Sequence, residues 1–69
     1  MTTIILTYPN EHHPRFQVFS IYRAPDVHYV FALHETSSRD EAEQRAREMM
    51  ETYEADHFQR VIEAGERIG

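Results

Sequence analysis

The sequence predicts a small α+β fold: a three-stranded antiparallel sheet followed by an amphipathic helix and a second short helix. Three observations predict it. Residues before Thr36 are rich in Val, Ile, Tyr, Phe and Thr, which favour strands; residues after it are rich in Glu, Ala, Arg, Gln and Met, which favour helices. Pro25-Asp26 separates two apolar runs, as in a hairpin. From Ala42 onward, apolar residues recur at steps of three and four. The 69 residues are read as one domain, 1–69.

Thr3 to Tyr8 is the first expected strand, ended by Pro9-Asn10, with Glu11 to Pro14 as a polar connection. Phe16 to Tyr22 is the second. Ala24-Pro25-Asp26-Val27 is the strongest turn signal, because proline presets φ at the first central position and Asp suits the second. His28 to Glu35 completes an antiparallel hairpin. Ser38 and Glu41 have capping-box spacing at a helix start. Ala42, Ala46, Met49, Met50 and Tyr53 form the helix's apolar stripe, and Glu41–Arg45 and Glu43–Arg47 are opposite charges four apart on its solvated side.

The C-terminal segment fits two templates. Phe58, Val61, Ile62, Gly65 and Ile68 share one face of a helix, with a break near Ala55 to His57 and Asp56 as a new cap for Gln59. The alternative is a fourth strand at Phe58 to Glu63, a ββαβ-type arrangement with Ala64-Gly65 as a turn; it groups Phe58, Arg60 and Ile62 and sends Val61 to the other side.

Composition excludes several function classes. There is no cysteine, hence no disulfide and no thiolate metal site. The longest apolar run, Tyr29-Val30-Phe31-Ala32-Leu33, is far below the roughly 20 residues of a membrane-spanning helix. No positively charged region precedes Ile4-Ile5-Leu6, so a cytoplasmic location is expected. The formal charge of −5 and the scatter of all seven basic residues, every one arginine, oppose nucleic-acid binding. An acidic helix that imitates a nucleic-acid backbone is disfavoured because Arg39, Arg45 and Arg47 dilute its charge.

The hairpin is apolar on both faces. In the second strand Phe16, Val18 and Tyr22 point one way, Phe19 and Ile21 the other. In the third, strict alternation groups Tyr29, Phe31 and Leu33, with Val30 and Ala32 opposite. A half-buried antiparallel strand alternates apolar with polar residues. The helix stripe covers one face, and a chain this short buries only about 60% of its unfolded surface. The second face is therefore expected to form a homodimer interface or partner-binding surface built on Phe19, Ile21, Arg23, Tyr29, Phe31 and Leu33. The competing expectation is that the C-terminal segment covers that face.

No reaction signature accompanies these elements. Ser20, Ser37 and Ser38 lack a glycine elbow, and the only glycines, Gly65 and Gly69, build no phosphate loop. The chain is read as a non-enzyme with no cofactor. Five histidines leave a metal-binding or small catalytic alternative centred on His28 and His34, which strict alternation places on one face, six residues apart. No His-x3-5-His or HExxH spacing supports it, and surface histidines are the simpler account. A third alternative is a structural subunit of a larger assembly. In size and composition the chain is similar to small acidic regulators and inhibitors encoded by bacteria and their phages. The expected function is a protein-binding module that regulates or inhibits a larger protein by occluding its surface, the expected partners being that protein and a second copy.

Overall fold

The computed structural model describes residues 1–62. Its elements are β1 (Thr2–Thr7), β2 (Phe16–Ala24), β3 (Val27–Thr36), α1 (Arg39–Thr52) and β4 (His57–Val61). The strands form one sheet in the order β3-β2-β1-β4. β1–β2 and β2–β3 are antiparallel, and β1–β4 is parallel. The fold is α+β with a mixed, four-stranded sheet. No helix among the described residues is long and apolar enough to cross a membrane.

The second helix is replaced by β4, so the fourth-strand alternative holds and the sheet is not wholly antiparallel. A segment this short satisfies both periodicities, and the open edge of β1 decides between them. Thr2 N–H donates to Asp56 Oδ2 at 2.9 Å, and Asp56 N–H to the Thr2 carbonyl at 2.8 Å. Asp56 thus clamps the starts of two parallel strands rather than capping a helix at Gln59. Tyr8 N–H donates to the Val61 carbonyl at 3.0 Å and closes the other end. Glu63, Ala64, Gly65 and Ile68, which the two readings also used, lie outside the described residues.

The helix covers one sheet face. Ala42, Ala46 and Met49 bury themselves against Ile4, Leu6 and Val18, with Phe16, Ala32, Met50 and Phe58 packed at the margin. Ser38 Oγ accepts from Glu41 N–H at 3.2 Å, which is half of a capping box. The other half is absent: Ser38 N–H donates to Thr36 Oγ1 at 3.1 Å, and the Glu41 carboxylate turns to His34. At the far end Glu54 N–H bonds the Glu51 carbonyl and Ala55 N–H the Met50 carbonyl. These are the two bonds of a Schellman motif. Its left-handed position is filled by Glu54, φ 49°, where glycine is usual.

Register departs from strict alternation once. Ser20 faces Ala32 across β2–β3, yet Ile21 faces Val30, so Phe31 is an extra residue in a β-bulge. The bulge reverses the facing of everything beyond it. Ala32 and His34 pair with the buried Ser20 and Val18 and lie on the helix side, and Leu33 lies on the opposite, open face with Phe19. On the other side of the bulge, Tyr29 pairs with Tyr22 on the helix side and Val30 with Ile21 on the open face. Phe31 reaches the C-terminal end of α1, its ring 5.0 Å from that of Tyr53.

Candidate functional site

The bulge divides the six residues singled out from the sequence. Phe19, Ile21, Arg23 and Leu33 lie on the open face. Tyr29 and Phe31 do not join them. They stand on the helix side, in a row of aromatic contacts: Tyr22–Tyr29 at 5.6 Å, Tyr29–Phe31 at 6.1 Å and Phe31–Tyr53 at 5.0 Å between ring centroids. Nothing in the sequence around Phe31 marks a bulge, since no glycine stands there.

The open face is completed by residues that the expectation left out. Ile5, between Ile4 and Leu6, points away from the helix and pairs with Phe19. Val30 joins beside Ile21. Ile5, Phe19, Ile21, Val30 and Leu33 therefore make a contiguous apolar centre. Thr3, Thr7, Gln17, Arg23, His28, Glu35, His57, Gln59 and Val61 surround it by register, all but Val61 polar. Val30 is 56% exposed and Leu33 59%. Among the described residues no element packs over this face; the C-terminal segment expected as its cover extends the sheet instead. An apolar centre inside a polar rim is how protein interfaces are built.

The histidines are not gathered. His28 pairs with Arg23 on the open face, while His34 lies on the helix side with its Nε2 2.8 Å from Glu41 Oε2. The bulge overturns their expected shared face. His13 Nε2 lies 3.3 Å from Glu35 Oε2. Among the described residues no three His, Asp or Glu side chains converge as a metal site would require. Hydrogen bonding to carboxylates instead sets the local electrostatics. Glu35 is held below the ordinary carboxylate range by the Gln17 amide and by His13, and Glu41 by His34 and Thr36.

A cleft of 290 Å³ lies between α1 and β4, floored by Ala46, Met50 and Phe58. Its charged groups serve one another. Arg60 grips Glu43 as a fork, Nη2–Oε1 2.6 Å and Nε–Oε2 3.2 Å, and the Tyr8 hydroxyl donates to Glu43 Oε2 at 3.1 Å. Arg60 holds Glu43 below its usual range, and Glu43 raises Arg60. Arg60 also lies over the Phe58 ring at 4.9 Å, and Arg39 over that of Tyr8 at 5.7 Å. This is a strut that fixes β4 and the end of β1 to the helix. The i to i+4 pairs expected on α1 give way to it: Glu43 chooses Arg60, and Arg45 pairs with Glu48 at 3.5 Å.

Comparison with protein-family models, with curated proteins and with solved structures finds no match.

Proposed function

We propose that this chain is a protein-binding module: it regulates or inhibits a larger protein by laying the open face of its sheet over that protein's surface, and it does so as a homodimer. One observation carries the reading. The helix covers a single face, and the apolar centre of the other, Ile5, Phe19, Ile21, Val30 and Leu33, is left facing outward among the described residues. Contiguous apolar patches of this kind on small proteins mark interaction sites. The polar residues around it supply a rim, and the reading assigns the chain no reaction.

The test is capture from a lysate of the source organism by tagged wild-type protein and by Phe19→Asp. Phe19 occupies the middle of the patch, and a buried carboxylate at a protein contact is strongly unfavourable. The expected result is a discrete protein retained by the wild type and lost with Phe19→Asp, with the circular dichroism spectrum unchanged. An identical set of captured proteins from both baits refutes the assignment.

A further inference from the structure

We infer that two copies of this chain join through the outer edges of β3, antiparallel and around a two-fold axis between Phe31 and Ala32, into one eight-stranded sheet. The inference concerns an edge rather than the open face and stands apart from what that face binds. β3 is ten residues long and forms one border of the sheet. Its outer backbone groups have no strand partner among the described residues. Sheet edges are usually blunted by lysine, proline, shortness, an inward-pointing charge or a bulge that turns the edge away. Within β3 there is no lysine and no proline, and of these devices it carries the bulge, whose local symmetry suits a second copy of the same strand. Val27, Tyr29, Val30, Phe31 and Leu33 are all exposed there, so both faces of this edge are apolar.

The occupant is identified by the bulge. Opposed residues in an antiparallel ladder lie on the same face. Around the bulge, His28, Val30, Leu33 and Glu35 lie on the open face, and Tyr29, Phe31, Ala32 and His34 on the helix side. That order of facings reads the same in both directions about the point between Phe31 and Ala32. A strand without the bulge has no such symmetry about a point between two residues, because neighbours always face opposite ways. The chemistry is also self-complementary. A second copy places its Leu33 opposite Val30, its Glu35 opposite His28, its His34 opposite Tyr29 and its Ala32 opposite Phe31, each pair made twice. Two apolar contacts lie on the open face, flanked by two hydrogen-bonding His–carboxylate pairs. Glu35 already accepts from Gln17 Nε2 at 2.9 Å. A carboxylate has about four acceptor sites, so the second copy's His28 adds to that bond without displacing it. An isologous contact of this kind closes on itself and builds no fibre.

The absence of cysteine makes the register directly measurable. Val30→Cys and Leu33→Cys are prepared separately, and each is oxidised mildly alone and as an equimolar mixture. The expected result is a disulfide-linked dimer in the mixture and little in either protein alone, because Val30 faces Leu33 and neither faces itself. Sedimentation of the wild type is expected to give twice the chain mass at high micromolar concentration. Leu33→Lys, at an exposed site that folding does not need, is expected to weaken self-association roughly tenfold through its two symmetry-related contacts. A wild type that sediments as a monomer overturns the inference, as does cross-linking as fast in one cysteine variant alone as in the mixture. A monomer also removes the homodimer from the proposed function, but under either outcome the open face remains the partner-binding surface if Phe19→Asp still abolishes capture.

Discussion

Ser20 stands fully buried between Ile4 on β1 and Ala32 on β3, and its Oγ has no hydrogen-bond partner among the described residues. A hydroxyl taken out of water without compensation costs roughly 1–3 kcal/mol. Ser20→Ala is therefore expected to stabilise the protein by about 1 kcal/mol, read as a higher urea midpoint at constant m-value. An unchanged or lower midpoint would mean that the hydroxyl finds a partner in solution. The sequence hides this burial, because Ser20 alternates with apolar neighbours in the way a solvated position does. Phe31 hides the opposite fact. Its type fits a strand, and no local residue announces that the ladder slips there. Side-chain facings were thus legible as far as the bulge. Beyond it the facing of β3 is reversed, which separates Leu33 from Tyr29 and Phe31 and His34 from His28. The slip is a property of pairing, and one strand's sequence does not contain it.

At the scale of elements, helix position is set by contacts that run off the helix. Neighbouring charges on α1 suggested i to i+4 pairs, but Glu43 turns toward Arg60 on β4, and Glu41 toward His34 on β3. A forked arginine contact to a carboxylate outcompetes a flexible surface pair because two bonds are fixed at once. Glu43→Gln is expected to lower stability at neutral pH by about 1 kcal/mol, since the pair is only partly shielded from water. The sign of the pH dependence follows from the direction of the shift. Glu43 titrates below its ordinary 4.5 when folded, so the unfolded chain binds that proton more readily. The stabilisation is complete above about 4.5 and is lost as pH falls through the lower folded value. Glu35 and Glu41 act in the same direction. Thermal melts stepped down from neutral pH are expected to show a falling midpoint in the wild type and a shallower fall in Glu43→Gln. Parallel curves for the two proteins would remove the strut as a source of stability.

For the whole molecule, the order of strands and helix follows from local composition, whereas the last strand does not. β4 exists because it completes an edge begun more than fifty residues earlier, as the Thr2–Asp56 bond illustrates. Local periodicity has no access to such a pairing. The same limit applies to the open face: its apolar character was visible in Phe19 and Ile21, and alternation sets Ile5 opposite Ile4 and Leu6 and Val30 opposite Tyr29, but only register joins Ile5 to Phe19 and Val30 to Ile21. Ile5 and Leu6 now offer a comparison within one dipeptide. They are similar in size and adjacent in β1, yet Leu6 is fully buried under the helix and Ile5 lies on the uncovered side. A chain of 69 residues has a total stability of roughly 3–10 kcal/mol at 0.05–0.15 kcal/mol per residue. Leu6→Ala leaves a cavity and is expected to cost about 2–4 kcal/mol, a large share of that total. Ile5→Ala removes only partly shielded surface and is expected to cost about 1 kcal/mol or less in the isolated protein, while weakening partner capture. Urea unfolding of the two variants at low protein concentration separates the faces. Equal losses would mean that the side bearing Ile5 is already shielded in the isolated chain, leaving no surface free for another protein to occupy.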